Sequence, residues 1–461
     1  MKFKFVAILL ALCTAAGSAA LPAYAASDKT APLENSVSAG EHTWEDYKYK
    51  VLDDGNVEIT GYTGQEAKVS IPESIDSHTV TSIGPSTFQK CTSLKEVTVP
   101  EGVTVIGDYA FAYCSGLTRV TLPDSLKTLK EAAFGECSSL ESITIPEGVT
   151  AIPEYAFYGC TRLAELTLPQ SLTYLGENSF SGCESLTQVV LPDSVKNIDW
   201  SAFAGCISLK KVTFPKNLEI VSDNAFQGCK SLESVSLTEG LRQIGQGAFA
   251  GCESLKSLVL PVSTKEIAKN AFSGCSSLAA VDYAGTKENR KSIQIIGEGN
   301  TPLLASTIRY GNGTLETFAP KKGARFTSEG CTYQVKTDVH TVAFVKTASK
   351  AAKLVVPSYV TVDGICYDVA SVTKDAFRNN RSMTKITVKG GITSIGKNAF
   401  RGCSKLNKIV LYTDCLESVG ANAFQGIRSN AVIKVPSTKT AEYKKLMKNK
   451  GLSSKAKIAV I

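Results

Sequence analysis

A phenylalanine followed three positions later by a cysteine returns every 23 residues in the motif A-F-x-x-C. Phe88, Phe111, Phe134, Phe157, Phe180, Phe203, Phe226, Phe249 and Phe272 keep that interval without a slip, and Cys91 to Cys275 follow them. A leucine-rich period of about 20 to 29 residues belongs to a solenoid, in which each coil buries its apolar side only against its neighbours. Such an array grows along one axis, so 461 residues need not share one compact core.

The coil spanning residues 94–114 shows the local logic. Val97-Thr98-Val99 alternates at period two and reads as a strand with the valines inward and Thr98 outward. Pro100 ends it, because proline has no ladder donor, and Pro123, Pro146, Pro169, Pro192, Pro215 and Pro261 repeat the stop. Val103 and Ile106 form a second apolar pair before a glycine. Asp108 to Cys114 is then expected to be a helix of one or two turns, since acidic residues at Asp108, Glu131, Glu154, Glu177 and Asp223 would suit a helix start. The fold class expected is therefore α/β: parallel strands plus a short helix per coil, with the phenylalanines as one inner column.

Regions outside the beat set the domain plan. Residues 1–25 carry Lys2 and Lys4, an apolar run and Ala23-Tyr24-Ala25, the pattern of a secretory signal, and the run is too short for a good membrane anchor. Residues 26–41 read as a flexible linker and residues 42–310 as a first solenoid with end caps. Its entry cap is a hairpin of residues 47–51 and 57–60 around Asp53-Asp54-Gly55-Asn56. An exit unit of a short helix and a strand occupies residues 286–310. Residues 311–325 read as a linker and residues 326–461 as a second, smaller solenoid, with Phe377, Phe400 and Phe424 as its core and a C-terminal cap.

Charge divides along the same line. Residues 26–284 hold 19 Lys and Arg against 32 Asp and Glu, and residues 285–461 hold 29 against 11. A basic end of this kind points either to an anionic partner or to two modules of different surface style.

Catalytic chemistry finds little footing. His42, His78 and His340 are isolated, no C-x-x-C occurs, and no histidine stands where it could serve a serine. No catalytic, cofactor-binding or metal-ligating residue is assigned, and the chain is not expected to be an enzyme. The cysteines read as core thiols, because Asn380 and Ile427 fill the same slot in other coils. Cys331 and Cys366 lie outside that slot and could form a bridge. What remains is surface: Thr98, Thr121, Thr144, Thr167, Val190, Thr213, Ser236 and Val259 make a hydroxyl-rich outward strip. Threonine there is also ordinary strand chemistry.

The repeat L-x-x-V-T-L-P-x-x-V-x-x-I-x-x-x-A-F-x-x-C-x-x-L resembles the BspA-like leucine-rich repeat of bacterial surface and secreted proteins, over nearly all of residues 42–461. The resemblance implies a secreted or cell-surface protein without catalytic residues, binding an extracellular protein or polysaccharide. The alternative is a structural envelope protein held on anionic wall polymers by residues 326–461. Neither nucleic acid nor a membrane span is expected.

Overall fold

The computed structural model describes residues 40–336 and 339–461. The expected signal and all but the end of the linker that follows it lie outside the described residues.

Each coil contributes two short strands. Glu96–Thr98 and Val105–Ile106 pair in parallel with Arg119–Thr121 and Thr128–Leu129, so that Val97 faces Val120 and Ile106 faces Leu129. The offset is the sequence period itself, which is why inward valines meet inward valines and the Thr98 row stays outside.

The expected helices are replaced by consecutive turns. From Tyr109 to Cys114 the amides alternate between two kinds of partner. Those of Tyr109, Phe111 and Tyr113 donate to Glu131, Ala133 and Gly135 of the next coil at 2.8–2.9 Å. Those of Ala110, Ala112 and Cys114 close turns onto Gly107, Tyr109 and Phe111 at 3.0–3.2 Å. A helix would direct every amide along its own axis and leave none to join the coils. The alternation requires left-handed residues, Tyr109 at φ 56° and Tyr113 at φ 62°. Asn178, Asn224, Gly247 and Asn270 take the first of these positions in later coils, where their backbone tolerance fits. Some of the acidic residues read as helix starts instead cap amides of the following coil: Asp108 accepts from Glu131 N at 3.1 Å and Asp223 from Gln246 N at 2.7 Å.

The phenylalanines stack face to face from Phe88 to Phe272, with centroids 4.9–5.5 Å apart and planes within 14°. Tyr62 continues the column into the entry cap, 4.9 Å from Phe88. There Tyr47–Val51 and Val57–Tyr62 form the expected antiparallel hairpin, and the second strand then pairs in parallel with His78–Ile83. The cysteines do more than fill space. Each thiol from Cys114 to Cys275 donates to the carbonyl of the phenylalanine one coil back at 3.0–3.4 Å, as Cys403 does to Phe377. That carbonyl already closes the turn, so the thiol satisfies its second lone pair.

The exit unit holds two short helices, Lys287–Lys291 and Thr301–Ala305, and two strands, Gln294–Ile296 and Thr307–Tyr310. Asn300, fully buried, stands in for the missing next coil. Its Oδ1 accepts the Phe272 amide at 2.9 Å, and its Nδ2 donates to the carbonyls of Ala268 and Ile296 at 2.8 and 2.7 Å.

Hydrogen bonding continues past the boundary drawn between the two solenoids. Gln294–Ile296 pairs in parallel with Glu266–Ile267 on one side and Ile365–Val372 on the other, so one 12-stranded sheet crosses the junction. Within the expected linker, Leu315–Thr317 pairs with Thr307–Tyr310. Arg290, only 3% exposed, locks the crossing: Nη1 donates to Asp363 O at 2.9 Å and the guanidinium lies 5.6 Å from the Phe318 ring. A separate aromatic stack runs through Phe344, Phe377, Phe400 and Phe424 at 4.8–5.8 Å. The chain thus has two aromatic columns and a shared sheet.

Candidate binding faces

The strip read from sequence is assembled by strand register. Thr98 aligns with Thr121, Thr144 with Thr167, Val190 with Thr213 and Ser236 with Val259, and all eight side chains are exposed. Seven intervals of about 4.8 Å give it a length of roughly 34 Å. Ser70 extends the row at one end and Asp282 and Arg309, bridged at 2.6 Å, at the other. Val190 is 60% exposed, the most open large apolar side chain of the strip. The strands of the row fall into three separately paired sheets, divided between Glu165–Thr167 and Gln188–Val190 and between Lys211–Thr213 and Ser234–Ser236. Between Arg119–Thr121 and Ser142–Thr144 only Arg119 and Ser142 remain paired. A groove of about 360 Å³ forms there, lined by Arg119, Thr121, Asp124, Ser142, Thr144 and Pro146.

A second face, built by the other strands and the turns, was not legible as a site. Tyr174 and Trp200 are 39% and 42% exposed. Tyr174 Oη donates to Glu154 at 3.1 Å, and Tyr155 Oη to Glu177 at 3.4 Å. Burial and the Glu154 hydrogen bond push the Tyr174 hydroxyl up to about 12. Glu177 occupies the repeat position of Trp200, so aromatic and carboxylate side chains gather within three coils. The available signal was the recurrence of tyrosine at Tyr109 and Tyr155, but Tyr174 and Trp200 come from other repeat positions.

The basic end carries a five-stranded parallel sheet of Lys353–Val356, Lys385–Val388, Lys408–Leu411, Val432–Val435 and Lys457–Val460. Four of the five strands begin with lysine.

The isolated histidines are occupied locally: His78 Nδ1 lies 2.7 Å from Gly55 O, and His340 Nδ1 lies 3.0 Å from Thr301 Oγ1. Among the described residues no group of three or more His, Cys, Asp or Glu side chains is placed to hold a metal, and no helix is long and apolar enough to cross a membrane. Burial pushes the Cys114 and Cys275 thiols up to about 12 and Cys403 to about 11, which withholds the thiolate that nucleophilic chemistry needs. Cys331 and Cys366 are both free thiols.

Solved structures with similar chains are bacterial leucine-rich-repeat proteins. One from Bacteroides ovatus is 24% identical, with 91% of this chain and 99% of that one covered and a TM-score of 0.44. The Treponema pallidum leucine-rich-repeat protein is 29% identical over 52% of this chain and 90% of that one, at 0.31. The pneumococcal vaccine antigen PcpA is 18% identical over 92% and 98%, at 0.39. No curated protein matches. Leucine-rich-repeat proteins of this kind are generally non-catalytic. The model of the BspA-type leucine-rich-repeat region matches residues 67–186, 150–279 and 366–455, more than half of the sequence. The chain belongs to the BspA-type leucine-rich-repeat family.

Proposed function

We propose that the protein is a non-catalytic extracellular binding or adhesion protein that presents the Thr98–Val259 strip to a protein or glycan partner. The observation that carries this reading is the recurrence of eight exposed small hydroxyl and aliphatic groups at one strand position of successive coils, paired in register as Thr98 with Thr121, Thr144 with Thr167, Val190 with Thr213 and Ser236 with Val259. A flat row without long side chains offers backbone-spaced contacts at little cost in side-chain entropy. The signal-like residues 1–25 support export, and membership of a family of bacterial surface proteins supports a location at or outside the cell surface. The test is to probe glycan and matrix-protein arrays with the full chain, then with Thr121→Lys/Thr144→Lys. Binding that survives these bulky cations on the strip, while a change at Trp200 abolishes it, refutes this face.

A second reading is favoured by the lysine-led sheet: residues 326–461 hold the protein on anionic wall polymers. Retention on purified cell walls that does not weaken between low and high salt refutes it.

A further inference from the structure

The geometry points to a specific polyanion site: we propose that Lys353, Lys385 and Lys408, continued by Lys434 and Lys457, bind a linear polyol-phosphate polymer lying across the strands. This rests on the retention reading above and assigns its site.

Lys353, Lys385 and Lys408 are direct register partners on adjacent strands. Val432 interrupts the row and Lys457 resumes it, while Lys434, two residues along from Val432 and on the same face, fills the gap. A second tier precedes the strands: Lys350, Arg381, Lys405, Arg428 and Lys455, all exposed. Residues 350–356, 381–388, 405–411, 428–435 and 455–460 contain no Asp or Glu. Among the described residues the ion pairs that reach residues 326–461 include Lys291–Asp363, Arg378–Asp375 and Lys439–Glu442, and none of these involves a member of either tier.

The fold does not require this arrangement. In the first array the same strand position reads Lys68, Glu96, Arg119, Ser142, Glu165, Gln188 and Lys211, and its first two members form a 3.1 Å ion pair. Like charges directly opposite on neighbouring strands destabilise a sheet. An uncompensated lysine row is therefore a local penalty that an external anion would remove.

The chemistry of the row narrows the anion. All five members are lysine, a compact point charge that suits phosphate, whereas planar carboxylate recognition favours the arginine fork. The exposed and half-buried positions on the outward face of the five strands are Lys353, Val355, Lys385, Thr387, Lys408, Val432, Lys434, Lys457 and Ala459, none of them aromatic. Val410 is buried, and Tyr412, the exposed ring just past Leu411, already carries Lys389 Nζ 5.5 Å from its centroid. A flexible backbone with phosphates at short repeat fits best. Because one charge comes from each strand, such a chain runs along the solenoid axis, and glycerol phosphate monomer gains little from the row.

The test uses the full chain and long poly(glycerol phosphate), with heparin and single-stranded DNA as comparison probes. Lys353→Gln/Lys385→Gln/Lys408→Gln is expected to lose at least about tenfold in affinity and to flatten the salt slope by about 2, at roughly 0.7 per lost contact. Lys374→Gln/Lys397→Gln/Lys444→Gln, which removes equal charge elsewhere on the same end, is expected to bind nearly as the parent does. The lysine-row triple variant should melt no lower than the parent, since repulsion is relieved; a lower melting temperature together with lost binding assigns the lysines a structural role and overturns the site. Equal losses in both triple variants overturn the row in favour of diffuse attraction. Tighter binding of heparin or DNA overturns the polyol-phosphate assignment. A parent that binds no poly(glycerol phosphate) sinks the retention reading itself.

Discussion

Phe180→Ala is the sharpest probe of how the array is held together. Phe180 is fully buried, between Phe157 at 5.3 Å and Phe203 at 5.4 Å with planes within 7°. Truncating a buried phenylalanine costs about 3–5 kcal/mol, and the two lost stacking contacts place this one near the upper end, at about 5 kcal/mol. In a solenoid the loss falls on nearest-neighbour coupling, so the coils before and after the cavity should unfold separately. The two tryptophans report each side: Trp44 in the entry cap precedes the lesion and Trp200 lies one coil beyond it. Urea melts of single-tryptophan versions, followed by fluorescence, should coincide in the parent and separate in Phe180→Ala. Coincident, equally steep transitions in the variant would refute nearest-neighbour coupling through the phenylalanine column.

Two other outcomes follow from the same framework. Asn300→Ala orphans the Phe272 amide and the carbonyls of Ala268 and Ile296, and should cost about 2–4 kcal/mol; hydrogen exchange at Phe272 should accelerate well before that at Phe180. The buried thiols hold their protons more tightly when folded than when unfolded, so stability should be level below about pH 8 and decline as pH rises from 9.0 toward about 12, the raised value for Cys114. Denaturant melts across that range check it, and replacing several slot cysteines with serine should shrink the decline.

The strands, proline stops, aromatic columns and entry hairpin were legible because each depends on residues that recur at one spacing. The turns were not. Asp108 to Cys114 has helix-friendly composition, and the left-handed backbone at Tyr109 leaves no trace in its own side chain. Asn178, Gly247 and Asn270 in the same slot were the usable signal. The sheet that crosses the junction was hidden because Gln294–Ile296 lies outside the repeat. The hydroxyl strip was readable as a row, but the breaks in its ladder pairing, beside Thr121, after Thr167 and after Thr213, were not, since no residue at those positions marks them. The lysine row escaped detection because its strands begin at 353, 385, 408, 432 and 457, and no constant period links them.

The alternating amides of the turn segment give the array a direction. Each coil donates there to its successor and accepts from its predecessor, so the two ends have opposite needs. At the entry, Tyr62 supplies a donor to Thr87 O at 3.1 Å; at the exit, Asn300 supplies an acceptor. The caps are therefore not interchangeable. A coil inserted or deleted between them, however, satisfies itself on both sides, so duplication of whole coils changes reach without any new chemistry at either end.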